Sequence, residues 1–436
     1  MRAERLGLED VRGLGGPAGV AERMRSLVPG GASVEEDVEV IIANVWEGGD
    51  AAVLDLTREY DTGGLEPRPL LVAPEELDAA IKRLPLDVVA GLQVAIANVA
   101  QVAQAGVEAD VAVQLPQGQR VTLRDVPVGA AAVYVPGGRA PYPSTAVMGV
   151  VVARAAGVLD VAVCSPPGGD GEVDAAVLGA CRLLGVERVY RMGGAQAVAA
   201  LAYGTQTVRA VDVIVGPGNL YVQEAKRQLA DRVGIEGFAG PSDLLVIFGD
   251  DADPRLVALD MAAQAEHGPG SLVGAVCSSE GALDLLGDEL ERLAGEYPQL
   301  CPAACVLIQS VDAREALEIA NVFAPEHLQL LGAEPEALAG KVRTAGCVFV
   351  GAAAATAFGD YVAGSNHILP TSGAARFSSG LSARHFRRRM AEVRLGEVGG
   401  ETVRKLAAAG APIARAEGFE LHARSMEARM GENPAG

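Results

Sequence analysis

Cysteine pairs are missing from this sequence. Its six cysteines, Cys164, Cys181, Cys277, Cys301, Cys305 and Cys347, form no CxxC and sit mostly in apolar runs. Reduced core thiols in a cytoplasmic protein are expected, rather than disulfides or thiolate metal ligands. Concentrated positive charge is missing too, since the formal net charge is −20. That excludes an expected nucleic-acid or anionic membrane surface, both of which need clustered Lys and Arg. An anionic cofactor stays compatible, because backbone N–H groups in a local pocket can hold a dinucleotide. The charged start Met1-Arg2-Ala3-Glu4-Arg5 leads into no apolar run, so no secretory signal is expected. The longest apolar stretch, residues 145–164, is interrupted by Arg154 and Asp160 and reads as a buried helix followed by a strand, not a membrane span. There is no solenoid-length repeat and no low-complexity linker.

What is present is a chain of 436 residues, half of them apolar, enough for two or more domains with a sizeable core. Val38, Ile41, Ile42 and Val45 share one helical face, and Asp50 opens another turn. Strands are expected at 130–135, 158–164, 188–192 and 211–215, each followed by a Gly- or Pro-containing turn and a helical stretch such as 219–232. The rhythm repeats with strands at 243–248, 272–277, 304–308 and 347–350, separated by helices such as 254–267 and 280–294. Such alternation implies parallel sheets with helices on both faces. The expected fold class is α/β: two incomplete Rossmann-like doubly wound units, an N-terminal helical arm and a C-terminal helical tail. The expected boundaries are an arm at 1–27, a first α/β domain at 28–133 and 242–384, a second at 134–241, and a tail at 385–436.

Glycine-rich turns follow three of these strands: Pro136-Gly137-Gly138, Gly193-Gly194-Ala195-Gln196 and Gly216-Pro217-Gly218-Asn219. Glycine lets backbone approach a ligand closely, and the next helix N-terminus favours an anion. None spells GxGxxG, so the usual dinucleotide fingerprint is absent, and any one of them also reads as a simple tight turn. Among only five histidines, His267 stands three residues after Gln264 on one helical face, with Gly268-Pro269-Gly270 stopping the helix at once. Asp360, in a turn-like Gly359-Asp360-Tyr361, and His422, five residues after Glu417, are further donors. A Gln, His, Asp and His set supplies nitrogen and oxygen without thiolate, which suits a catalytic or substrate-binding zinc better than a closed structural one. Glu326-His327 follows Ala324-Pro325, where an irregular backbone lets both side chains serve one pocket as two proton acceptors.

Together these stretches resemble the histidinol dehydrogenase family from about residue 38 to 430. The resemblance also rests on Tyr134-Val135, Pro143-Ser144, Ala239-Gly240-Pro241-Ser242, Asn366-His367-Ile368-Leu369-Pro370-Thr371 and Ala416-Glu417-Gly418-Phe419. It implies one zinc per subunit on Gln264, His267, Asp360 and His422. It implies substrate contacts from Ser242, His327, His367 and Glu417 together with the zinc ligands, and NAD contacts from Tyr134, Gln196 and Asn219. It also implies a homodimer in which the C-terminal tail completes the neighbour's active site. The first α/β domain would then carry zinc and catalysis, and the second NAD. Departures from the family pattern are Glu236, often Asp; His385, often Asp; and the nearly featureless residues 352–357.

The reaction so implied is the four-electron oxidation of L-histidinol through L-histidinal to L-histidine with two NAD, the last step of histidine biosynthesis. In it, His327 takes the hydroxyl proton and Glu326 activates water for the second oxidation. Two other readings remain open on the same residues: a dehydrogenase of another small alcohol, such as a sulfonated diol, and a non-catalytic zinc- or nucleotide-binding homologue. A zinc hydrolase would leave the cofactor turns without purpose.

Overall fold

The computed structural model describes residues 3–28, 33–137, 140–238, 240–268, 270–297 and 303–431. Cys301 and Gly138, Ala239 and Pro269 of the motifs above lie outside them. A short strand β1 (Glu4–Leu6) opens the chain, followed by α1 (Leu8–Gly13), α2 (Pro17–Ser26), α3 (Glu35–Gly48), α4 (Asp50–Tyr60), α5 (Pro74–Arg83) and α6 (Leu86–Ala105). After β2 (Val111–Gln114) and β3 (Arg120–Pro127) comes the first alternation: β4 (Ala130–Tyr134), α7 (Pro143–Ala155), β5 (Asp160–Ser165), α8 (Ala175–Leu183), β6 (Arg188–Arg191), α9 (Gly194–Tyr203), β7 (Val213–Val215), α10 (Leu220–Gln228) and β8 (Gly234–Ile235). The second runs β9 (Asp243–Phe248), α11 (Pro254–Ala265), β10 (Leu272–Cys277), α12 (Glu280–Glu296), β11 (Ala304–Gln309), α13 (Ala313–Phe323), β12 (His327–Leu331), α14 (Ala333–Glu336), β13 (Cys347–Val350) and α15 (Thr356–Tyr361). The last elements are β14 (Arg387–Arg394), α16 (Glu401–Ala416) and α17 (Glu420–Glu427).

Both α/β sheets are parallel among the described residues, in the orders β1-β11-β10-β9-β12-β13 and β6-β5-β4-β7-β8. Strands β4, β9 and β10 are buried at every position. Continuous apolar runs of this kind are what a sheet covered on both faces demands. Helix α9, rich in alanine, is buried almost end to end and packs flat against its sheet with α3 and α10. The expected fold class is the one observed.

The boundaries differ from those expected. By contact the chain divides into one unit of residues 1–106 and 129–386, holding both parallel sheets, and another of residues 107–128 and 387–436. Residues 1–27 are not a free arm: β1 pairs with β11, and Val20 and Met24 of α2 enter the core beneath β9–β12. Helices α3 and α4 were expected with the zinc-bearing sheet. Instead Val38, Ile41, Ile42, Val45, Val53 and Leu56 pack into the core of the β4–β8 sheet, where apolar partners such as Tyr190 and Ile214 receive them. A break at 133/134 would cut β4. The tail is only partly helical, because β14 pairs antiparallel with β3, and β3 with β2, before α16 and α17 begin. Arg387–Arg394 is too basic to show an apolar alternation, so the strand was hidden.

Candidate active site

In the β4–β8 sheet the chain runs outward from β4 to β6 and then returns to the other side of β4 with β7. A crevice opens at such a reversal, beyond the carboxyl ends of the strands. There a cavity of about 1600 Å³ is lined by the turns after β4, β5 and β6, and by Tyr134, Gln196 and Asn219. All three side chains expected to meet the cofactor therefore share one space. The Asn219 side-chain oxygen caps α10 by accepting from Val222 N–H at 3.1 Å, which leaves its NH₂ to donate. Tyr134 is buried, its hydroxyl accepts from Gly194 N–H at 3.1 Å, and burial pushes its pKa far above the ordinary phenol range.

Gly216 adopts φ +118°, and a Cβ there would come within 2.1 Å of the Tyr134 carbonyl oxygen, so only glycine fits. A buried ion pair grips the same residue. Lys226 Nζ donates to Gly216 O at 2.7 Å and to both Glu236 oxygens at 2.7 and 2.9 Å, while Gly216 N–H donates to Glu236 at 2.8 Å. Glu236, the departure from the family's Asp, thus holds the turn that leads to Asn219.

A second cluster gathers at the opposite kind of edge, the amino ends of β9 and β12. Ser242 Oγ donates to Glu326 Oε2 at 2.5 Å and accepts from Gln264 Nε2 at 2.5 Å. His327 is the first residue of β12, with Nδ1 3.3 Å from the Asp243 carbonyl oxygen and 3.5 Å from Glu326, and Nε2 3.6 Å from Asp360. The irregular backbone expected at Ala324-Pro325 is present: Ala324, left-handed at φ +53°, ends α13 and turns the chain toward β12. Both side chains of the Glu326-His327 pair are buried within this one cluster.

Charge balance at the cluster is set by competing effects. Burial works against a charged imidazole, but the carboxylates of Glu326 and Asp360 outweigh it and hold His327 well above the ordinary histidine range. Burial would likewise raise Asp360, yet the hydrogen bond and the charge of His327 outweigh it and keep Asp360 below the usual carboxylate range. Asp360 sits inside α15 rather than in the expected turn. His367 has partners within the protein on both ring nitrogens. Its Nδ1 lies 2.9 Å from the Asp360 carbonyl oxygen and its Nε2 3.0 Å from Thr145 Oγ1, so both ring nitrogens are taken. A carbonyl only accepts, so Nδ1 carries the proton, and burial keeps this imidazole neutral by lowering its pKa.

Gln264 lies in the last turn of α11 and His267 just beyond it, where the helix end brings both toward Ser242 and Asp360. Glu417 and His422 are exposed residues of the other unit, His422 with its ring 5.2 Å from Phe419. Among the described residues no three His, Cys, Asp or Glu side chains cluster closely enough to hold a metal. Gln264 is buried, Asp360 half-buried and His267 exposed at the helix end; together they give one amide, one imidazole and one carboxylate, a donor chemistry that zinc accepts with a fourth ligand still to come. Sequence reasoning missed Asp243, Thr145, Asp61 and Lys226. Only the polar Asp243 at the head of an apolar strand carried a visible signal.

A sequence profile of the histidinol dehydrogenase family matches residues 29–430. Histidinol dehydrogenase of Deinococcus radiodurans is 42% identical over 426 residues, 95% of each chain. That of Parasynechococcus marenigrum is 40% identical over 403 residues, 91% of each chain. The chain belongs to the histidinol dehydrogenase family. It is an oxidoreductase. The crystal structure of histidinol dehydrogenase from Elizabethkingia anophelis superposes with a TM-score of 0.88 at 28% identity, over 94% of this chain and 96% of that one. Family membership and fold agree over nearly the same residues.

Proposed function

We propose that the chain oxidises L-histidinol through L-histidinal to L-histidine, with two NAD and one zinc per subunit, as the last step of histidine biosynthesis in the cytoplasm. The observation that carries this reading is the convergence of Ser242, Gln264, Glu326, His327 and Asp360 in one buried cluster of the same unit that holds the Tyr134–Gln196–Asn219 cavity. His327 takes the hydroxyl proton in each oxidation, and Glu326, already accepting from Ser242, activates the water that adds to the aldehyde. The glycine turns, with Tyr134, Gln196 and Asn219, would hold NAD, which would supply the hydride acceptor. Gln264, His267 and Asp360, with His422, would hold zinc. Its chemistry is to fix the substrate's imidazole and amine and to take up the Asp360 charge that otherwise favours a protonated His327. His367 steadies Asp360 through its carbonyl and stands beside it for the substrate contact the family resemblance implies.

We assign Glu417 to the substrate's amine and propose that the tail, with Glu417 and His422, completes the site of a second copy in a homodimer. Support comes from α6, whose 18-residue window has a mean hydropathy of 1.5 and is only 17% buried. By length and composition alone α6 could also cross a membrane. Its Leu92, Ala95, Val99 and Ala103 are nevertheless buried, which leaves Leu86, Val94 and Val102 as an outer apolar face for a partner chain. The deciding experiment is NADH production from L-histidinol. Two NADH per substrate, loss of turnover on chelation and recovery with Zn²⁺ are expected. No NADH from histidinol, with turnover of another alcohol instead, would overturn the substrate.

A further inference from the structure

One carboxylate of the cofactor cavity has no part in the chemistry above. Asp61, directly after α4, lines the cavity with Tyr134, Gln196 and Asn219. Among the described residues no Lys or Arg pairs with it. Its polar neighbour is the Gln196 amide, with Nε2 3.5 Å from Oδ2. Burial pushes its pKa up to about 6, so at neutral pH the side chain is a partly desolvated anion facing open space. Such a group calls for uncharged donors, and the vicinal hydroxyls of a ribose supply two O–H groups in a fork that matches a carboxylate. A phosphate at the same place would set like charges against each other in a low-dielectric pocket.

The lining also says which half of a dinucleotide lies near Asp61. Ala140 and Pro141 line the cavity and lead into α7, whose Thr145 holds His367 beside Asp360. A nicotinamide directed to that stretch leaves the adenosine half for the wall built by α3 and α4, from which Asp61 faces the cavity.

We propose that Asp61 receives the 2′- and 3′-hydroxyls of the cofactor's adenosine ribose and thereby selects NAD over its 2′-phosphorylated counterpart. This rests on the cavity being the NAD site proposed above. The test is steady-state kinetics of the full chain with NAD and with NADP, in the wild type, Asp61→Asn and Asp61→Ala. The ratio of kcat/KM for NAD to that for NADP should fall at least tenfold in both variants, mainly through KM. Partial misfolding would lower turnover with both cofactors alike and leave the ratio unmoved. In the wild type 5′-AMP should compete with NAD and 2′,5′-ADP should not, and in Asp61→Asn the two should compete comparably. An unchanged ratio, or a wild type inhibited equally by both nucleotides, overturns the proposal. Failure of the underlying reading has a separate signature: Gln196→Ala and Asn219→Ala would leave the KM for NAD unaltered, and the cavity itself would be dismissed.

Discussion

Asp243 and Glu326 hold each other by reciprocal hydrogen bonds: Glu326 N–H donates to the Asp243 carboxylate at 2.7 Å, and Asp243 N–H donates to the Glu326 carboxylate at 3.0 Å. The two acids sit where the parallel strands β9 and β12 begin side by side. Each backbone thereby aims the other's side chain, and Glu326 is fixed toward Ser242 by a residue 83 positions away. Asp243 carries a cost for this. It is fully buried, and burial together with the neighbouring Glu326 charge pushes its pKa up to about 7.

That shift makes stability depend on pH in a definite direction. An unfolded Asp243 titrates near its ordinary value of 3.8, and the folded one near 7. Between the two the native state binds a proton that the unfolded chain has released. The contribution of this group is therefore fully present below about pH 4 and is lost as the pH rises through 7. Asp243→Asn removes the titration. Denaturant midpoints measured from pH 4 to pH 8 should show the variant gaining on the wild type as pH rises. A constant difference between the two would contradict the assignment.

Glu326→Gln separates the two oxidations. The amide oxygen still accepts from Ser242 and from Asp243 N–H, so the geometry is kept and only the basicity is lost. Turnover of histidinal should fall about a hundredfold or more, the usual worth of a general base, while the first hydride transfer from histidinol is largely spared. Rapid-mixing measurement of the first NADH, beside steady-state rates on histidinal, reads this out. Equal losses on both substrates would remove Glu326 from the water-activating role.

Much of this architecture was legible because burial on both sheet faces writes itself as unbroken apolar runs. The bounds of β9, β10 and β13 coincide with the expected ones, and the buried face of α3 is the one its periodicity marked. What stayed hidden has physical reasons. β12 opens with His327 directly after Glu326 and carries a buried Gln329, so its run looks polar, although the Gln329 amide nitrogen donates to Asp260 at 2.5 Å. β1 is three residues long and takes its meaning from β11, about three hundred residues on. Thr145 meets His367 across 222 positions of chain, a distance over which no local pattern speaks. The chemical cluster also lies at the amino ends of its strands, contrary to the general rule for open α/β sheets, which the cofactor cavity obeys.

The Lys226–Glu236 pair gives a test that combines stability and cofactor binding. Lys226 is completely buried and Glu236 only 10% exposed. Lys226→Met leaves a buried carboxylate without its cation, which costs about 3–5 kcal/mol of folding stability. The freed Gly216 carbonyl and the loosened turn should raise the KM for NAD more than they lower kcat. Asn219 depends on that turn for its place, and the chemical groups do not. Chemical denaturation and kinetics on the same preparation check both parts. A stability loss with an unchanged KM would make the pair purely structural.

The shared site is tested by mixing two inactive chains. Glu326→Gln disables the chemistry in the subunit that carries it, and His422→Ala removes a zinc ligand that the tail is proposed to lend to the neighbour. In a mixed dimer of a shared-site enzyme, one site receives both lesions and the other receives neither. Co-refolding equal amounts gives half mixed dimers, each with one intact site, so about a quarter of wild-type activity should return. If each subunit instead used its own His422, every site would carry one lesion and nothing would return. Measuring turnover in the mixture against the two separate variants distinguishes these cases, because total bound zinc stays at the mean of the two variants whichever subunit lends His422, and activity returns only where the two lesions fall in the same site.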